Sequence, residues 1–410
     1  MQEPSLVGVV GGISSLYVGP AAGGAICAGV STLVGQTLEN HTRGGKKWTG
    51  AEIAMNTIVD FSLAGGVAKI LPIKIDGITA GRNSMVKTTI GYNDPSSTTA
   101  TGQVKTWKSG ATTYTYAYDA RGNITSVSDG QSTTTYAYDS FDQLVRENNQ
   151  AAGKTWTYAY DDGGNILSKK LYPYANTSGE PLQTMRFSYG NANWKDQLTA
   201  VDGIGITYDQ IGNPLSDGTW QYTWENGRQL ARMQSDNVDA RFVYNESGLR
   251  VQKIVNGVVT KYTLHGKNVV HMTRGSDELH FFYDAQNRPA VVVYNNVPYA
   301  YVKNLQGDVI AILDAAGNVV VSYVYDAWGR PISCSGIMAN TLGKINPFRY
   351  RGYVYDEETG LYYLRSRYYV SANARFLNAD IMFTNNLFAY CSNNVINCTD
   401  PMGTEEEWLE

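Results

Sequence analysis

The feature that most limits what this chain can fold into is a phrase it repeats: aromatic–x–Tyr–Asp, a short gap, then Gly and a polar residue. It reads YAYDARGN at 116–123, YAYDSFDQ at 136–143, YAYDDGGN at 158–165 and ITYDQIGN at 206–213. Looser copies are FVYNESGL at 242–249, FFYDAQNR at 281–288 and YVYDAWGR at 323–330. Degenerate self-similarity at a period of about 20 residues marks a repeat architecture in which each copy is one supersecondary unit. Tyr116 and Tyr118 stand two apart, so on a strand both rings leave from one face. Asp119 can turn its carboxylate back onto the amides ahead of it, and Gly122 supplies the positive φ of a tight connection. Ile124 and Val127 then resume a strand-like run. One repeat is therefore roughly one β-hairpin, and Tyr138/Asp139, Tyr160/Asp161, Tyr208/Asp209 and Tyr325/Asp326 are expected to mark the same turn in later copies. At this spacing the tyrosines read as cross-strand ladder residues; stacking on a sugar ring is the competing use of the same flat faces.

Composition points the same way. Thirty Tyr and 42 Gly, with only 17% charged residues, favour a mainly β chain with many turns. A net charge of −4 and a pI near 5.7 argue against a surface that holds nucleic acid by its phosphates. Cys27, Cys334, Cys391 and Cys398 form no CxxC, and the near pair Cys391 and Cys398 reads as two buried small residues. His41, His265, His271 and His280 show no ligand spacing beside acidic or thiol partners, so no metal site is expected. With no nucleophile–base pair, phosphate loop or HExxH, no cofactor is expected either.

The N-terminal part is a different material. Residues 5–38 carry no charge, a second apolar stretch runs over 53–73, and a polar hinge at 39–52 separates them. This predicts two helices or a helical hairpin over 1–90, broken or kinked at Pro20. Length also permits 6–33 to span a bilayer, so membrane contact of 5–38 is a second reading, with the glycines and Pro20 against it. A secretory signal fits poorly, because Glu3 and no Lys or Arg precede the apolar run. A Ser/Thr-rich polar linker is placed at 91–110, the repeats at 111–347, and 404–410 (TEEEWLE) is read as an acidic stub too short to fold.

The last third carries the most specific strings: FRYRGYVYDEETGLYYLRSRYYVSANARFLNAD at 348–380 and NLFAYCSNNVINCTDPMG at 386–403. Together with the repeats they resemble the YD-repeat region and Rhs-associated core of bacterial Rhs proteins, a group that includes wall-associated toxins, insecticidal toxin-complex shells and teneurins. The stretch LPIKIDGITAGRNSM at 71–85 resembles the pre-toxin tail of Firmicute members. The resemblance implies a spiral of β-hairpins that encloses a toxic cargo, with 348–403 as the plug that closes the shell. Gly352, Tyr355, Asp356, Gly360, Tyr362, Arg365, Arg367 and Tyr368 are its motif residues here. Implied partners are a toxin cargo, a neighbouring shell segment or an immunity protein, and the implied location is secreted or wall-associated. A glycan-binding adhesion module is the reading from another class. So short a wall is expected to be incomplete, with an exposed edge, and to lack a toxin of its own.

In the family the plug can act as an aspartyl autoprotease, in which two carboxylates share a proton and divide the roles of base and acid. Carried onto this sequence, the pair is Asp380 and Asp400, with Pro401 and Gly403 completing DPMG. Two departures weaken the match: Ile381-Met382-Phe383 replaces the first Pro and Gly, and Thr404 stands where cleaving members often carry Leu. The alternative is that both aspartates form turns. Arg349, Arg351, Arg365, Arg367 and Arg375 are expected to stack on aromatic faces and to pair with Asp356, Glu357 and Glu358; a recognition patch for sugar acids or phosphate is the rival use.

Overall fold

The computed structural model describes residues 74–75, 78–79, 88–92, 103–382 and 386–409. The expected helices and membrane contact of 5–38 lie outside the described residues, among which no helix is long and apolar enough to cross a membrane.

Each repeat closes its turn with one side chain, a carboxylate in most copies and the Asn245 amide in one. Asp119 Oδ1 accepts the amides of Arg121 and Asn123, both at 2.9 Å, and Oδ2 accepts the Asn123 side-chain amide at 3.0 Å. Asp139, Asp161, Asp209 and Asp326 each bind the amides two and four residues ahead in the same way. Gly122 holds φ 91° at the tip; in the two copies without glycine, Asp142 takes φ 62° and Asn287 φ 60° there, a conformation Asp and Asn tolerate because their short side chains bond locally. The register then slips by one residue, as between Ala117 and Tyr118, a β-bulge behind every such turn.

The ladder on the other side explains why the repeat uses tyrosine and not phenylalanine. Pairing with the next strand stops at Ser126, which leaves the Ile124 carbonyl beyond the ladder. The phenol of Tyr138, 14 residues on, donates to it at 2.7 Å. Tyr118 serves Val104, Tyr160 serves Leu144, Tyr244 serves Leu230, Tyr283 serves Val269 and Tyr325 serves Val309, at 2.6–3.0 Å. A buried carbonyl left unpaired costs roughly 1–3 kcal/mol, so each phenol locks one repeat to the one before it.

These hairpins run on as two antiparallel meanders, of 11 and 14 strands, each in strict sequence order. The first ends at Ile204–Gly205 and the second begins at Thr207–Tyr208. Three boundaries differ from the sequence reading. Thr88–Tyr92 pairs with Val104–Ser109 at the edge of the first sheet, so the segment read as a linker already supplies wall; Thr and Val suit a pleated surface whatever their polarity. Within the region expected to be helical, Lys74–Ile75 pairs with Ile78–Thr79, an Ile-rich stretch around the Asp-Gly hairpin signal. Glu407–Trp408 pairs with Cys398–Thr399, so the acidic tail is not a loose stub: a partner strand supplies what its length cannot.

Both sheets bury their inner faces on the C-terminal residues. Tyr116, Leu144 and Trp156 of the first sheet share a core with Tyr350, Tyr369 and Tyr390. In the second sheet, Phe281 and Tyr301 pack on Phe348, while Leu230 and Phe242 pack on Tyr363 and Tyr368. The space between the walls is thus filled by residues 342–409.

Candidate functional site: the plug and its aspartate–arginine cluster

Residues 354–376 form a four-stranded sheet inside the walls. Plug tyrosines grip one repeat turn from within: Tyr350, Tyr369 and Tyr362 donate to the carbonyls of Ala327, Trp328 and Gly329 at 3.1, 2.8 and 2.7 Å. Gly329 must be glycine, since a Cβ there would lie 2.4 Å from the Tyr350 ring at φ 80°. The same turn meets the first sheet: Lys169 pairs with Asp326 at 3.0 Å, and Glu147 accepts the Ala327 amide at 2.9 Å. Burial, reinforced by Asp326, pushes the Glu147 carboxyl well above its ordinary value.

The acidic turn at 356–358 faces the second sheet. Asp356 is fully buried, receives Arg250 Nη2 at 3.1 Å and lies 3.0 Å from Lys253 Nζ; Glu358 pairs with Lys253 at 2.6 Å and Arg274 at 3.0 Å. These wall cations, not the plug arginines, are the partners of Asp356 and Glu358, and only Glu357 pairs with Arg349, at 3.4 Å. Arg250 and Lys253 carried no local signal, because they lie more than a hundred residues upstream. Four of the five plug arginines stack as expected: Arg349 on Tyr323 at 4.1 Å, Arg351 on Tyr350 at 4.5 Å, Arg367 on Phe376 at 3.4 Å and Arg375 on Phe388 at 4.9 Å, while Arg365 donates to Met402 Sδ and to Asn268 Oδ1 instead. Arg349, Arg351, Arg367 and Arg375 are buried, which leaves them no outward face for an acidic ligand. Gly352, Gly360 and Arg365 all take positive φ at the plug's turns, Tyr355 packs on Tyr362 with the rings tilted by 46°, and Tyr368 shares a 2.8 Å hydrogen bond with Tyr244 of the wall.

Arg367 gathers the two aspartates singled out in the sequence. Its Nη2 lies 2.7 Å from Asp380 Oδ2 and 3.5 Å from Asp400 Oδ2, so the carboxylates meet on a guanidinium. Asp380 also accepts the Met382 amide at 2.9 Å. Asp400 Oδ1 accepts the amide of Thr404 at 3.0 Å, while its own amide donates to Tyr353 at 2.8 Å. The carbonyl of Gly403 accepts from Arg367 Nε and from Ser366 Oγ, the latter at 3.0 Å. A polarised carbonyl and a carboxyl on the amide nitrogen therefore bracket the Gly403–Thr404 peptide bond. Burial raises the Asp400 carboxyl to about 6 even though Arg367 opposes the shift. Burial also pulls Arg367 down to about 10, which leaves it charged at neutral pH. Pro401 and Gly403, at φ 74°, shape the turn that presents this bond.

A family model for the Teneurin YD-shell matches residues 127–399. The chain belongs to the Teneurin YD-shell family. It is an Rhs/YD-repeat shell protein, and the match takes in walls and plug together. Among curated proteins, the chain is 39% identical over 225 residues to the tRNA3(Ser)-specific nuclease WapA of Bacillus spizizenii, and 38% identical over 225 residues to the tRNA nuclease WapA of Bacillus subtilis. Each match takes 52% of this chain and 10% of the relative, so the chain spans about a tenth of their length. Among solved structures, the TcdB2-TccC3-Cdc42 complex shares the fold, with a TM-score of 0.65 and 20% identity over 78% of this chain and 18% of that one.

In this YD-shell, a repeat turn seats the first aspartate. Ala379, its neighbour, donates its amide to Gly212 of the Asp209 turn at 3.3 Å and accepts from Arg228 at 2.7 Å, and Phe388 packs edge-on to Tyr208. The plug's asparagines read other turn tips: Asn394 donates to Asn123 at 2.8 Å, Asn397 accepts the Ile124 amide at 2.8 Å, and Asn386 and Asn393 bind Asn165 and Gly164. The SNNVIN string was the available signal for this, since a run of asparagines in an aromatic core needs polar partners.

Proposed function

We propose that this chain is wall and closure of an encapsulation scaffold in a toxin system, with 348–403 as the plug. The observation that carries this is the shared core: wall and plug are joined by buried ion pairs and phenol locks, so closure is built into the fold. The inner space of the described residues is filled, so a chamber for cargo requires further wall continuing from the edge strand Thr88–Tyr92. The phenols of Tyr118, Tyr138, Tyr160, Tyr244, Tyr283 and Tyr325 are engaged on backbone carbonyls, which favours this over a glycan-stacking surface. Limited proteolysis tests it: walls and plug are expected to resist cleavage together and to become sensitive in one unfolding transition; cleavage inside 348–403 while the walls stay intact would defeat the reading that closure is built into the fold.

A second reading has its own observation, the bracketed Gly403–Thr404 bond. Water adds to the Gly403 carbonyl carbon while Arg367 and Ser366 hold the oxygen. The C–N bond then breaks as the Asp400 carboxyl delivers a proton to the Thr404 nitrogen; of the two protons of the added water, one returns to the Asp400 carboxylate and the other passes to solvent, leaving a Gly403 carboxylate and a free amine. Asp380 fixes the guanidinium. Intact-mass measurement should show loss of residues 404–410, faster below about pH 6 where Asp400 is protonated, and abolished in Asp400→Asn. An unchanged full-length mass at pH 5 after prolonged incubation would remove this activity.

A further inference from the structure

We propose that the outer face of the second sheet carries a divalent-metal site formed by His271, Glu278 and His280. In sequence these residues show no ligand spacing; the hairpin register brings them together. Strands Asn268–Arg274 and Asp277–Tyr283 turn tightly at Gly275, and the register sets His271 directly opposite His280. Glu278 precedes His280 by two, so all three side chains leave from one face. Met272, Leu279 and Phe281, which alternate with them, bury in the core on the other side. The site therefore opens outward, with side chains 25%, 41% and 13% exposed for His271, Glu278 and His280.

The geometry fits a tetrahedral ion. Glu278 Oε1 lies 3.0 Å from His271 Nε2 and 3.4 Å from His280 Nε2, and the three candidate ligand atoms fall within 4.8 Å of one another. With Zn–N near 2.0–2.1 Å and Zn–O near 2.0–2.2 Å, neighbouring ligands of a tetrahedral zinc stand roughly 3.3–3.5 Å apart. The two imidazoles lie face to face, with centroids 4.5 Å apart and planes 24° from parallel, so a small turn of each ring aims both Nε2 atoms at one point. Thr263, paired with His271 on the next strand, holds its Nδ1 at 3.4 Å, the outer-shell contact that fixes which nitrogen faces the ion. The Glu278 amide is tied to Asn295 Oδ1 at 2.9 Å, so the carboxylate springs from a fixed backbone. The competing reading is a carboxylate that simply accepts hydrogen bonds from two ring N–H groups. It accounts for the same contacts but makes no demand for an ion.

Two imidazoles and one carboxylate suit Zn²⁺, Ni²⁺ or Cu²⁺ and not Mg²⁺ or Ca²⁺. Three protein ligands leave a fourth position open to water or to a donor from outside the shell.

Titration calorimetry of the full chain with ZnCl₂, backed by visible spectroscopy with Co²⁺, decides between the two. One equivalent of Zn²⁺ is expected to bind, with Co²⁺ giving tetrahedral d–d bands and Ca²⁺ giving no heat. His271→Ala and His280→Ala should each weaken binding at least about tenfold, and Thr263→Val less, while circular dichroism confirms that each variant keeps its β signal. No Zn²⁺ binding, or binding unchanged in both histidine variants, would overturn the proposal.

Discussion

The walls and the plug satisfy their polar groups in opposite ways. In the walls the bonds are short in sequence: a carboxylate reaches two and four residues ahead, and a phenol typically reaches 14 back. In the plug they are long: Asp356 meets Arg250 across 106 positions, and Asn394 meets Asn123 across 271. A repeated wall reuses one local solution for every turn, so each copy is nearly self-sufficient. A plug that touches many different turns has no such economy, and its buried charges depend on residues that the rest of the fold must deliver.

The sharpest way to break this contrast is at Asp356. Asp356→Ala strands Arg250 without a countercharge in a buried site and leaves Lys253 with Glu358 alone, a loss of about 3–5 kcal/mol in denaturant unfolding. A loss below about 1 kcal/mol would mean that the plug is not latched to the second sheet by charge.

The next largest effect is expected from pH at the junction of the two walls. The unfolded chain releases the Glu147 proton near the ordinary glutamate value, while the folded chain holds it up to about 8. Between those values the folded state carries the extra proton, so this group's contribution to stability falls as pH rises, by at most ~1.4 kcal/mol per unit. Melting temperature measured from pH 5 to 8 should decline, and Glu147→Gln should flatten the decline.

Tyr138→Phe tests the phenol lock. It removes the donor to Ile124 and leaves the Asn397 side-chain amide one acceptor short, for a loss of about 1–2 kcal/mol. Hydrogen exchange should place the new opening at the seam between neighbouring repeats; an unchanged seam would reduce the tyrosine to a packing residue. The smallest effect belongs to the turn itself. Asp119→Ala should cost about 1 kcal/mol, and Asp119→Asn less, because Asn245 already makes the two backbone bonds of the same turn in a later copy, at 3.0 and 2.9 Å, and only the Oδ2 contact to Asn123 is lost.

The hairpin repeat, the turn role of Asp119 and its counterparts, and the stacking of the plug arginines were legible in the residues, since each depends on neighbours within a few positions. The tyrosines were legible as strand residues only. That their hydroxyls serve a carbonyl beyond the end of a ladder depends on register, which single residues do not display. The strands at 88–92 and 407–408 are not legible in the sequence, because a waiting partner strand, and not the polarity of one segment or the shortness of the other, decides whether each pairs.

What the sequence determined by itself is the unit, an aromatic hairpin with a side-chain-closed turn, because its forces act over about 20 residues or fewer. Tertiary structure alone decided which charges share a buried site: Arg250 with Asp356, Arg367 with Asp380 and Asp400, Lys169 with Asp326. Coulomb attraction and desolvation depend on distance in space, and only the closing of the walls around the plug sets those distances.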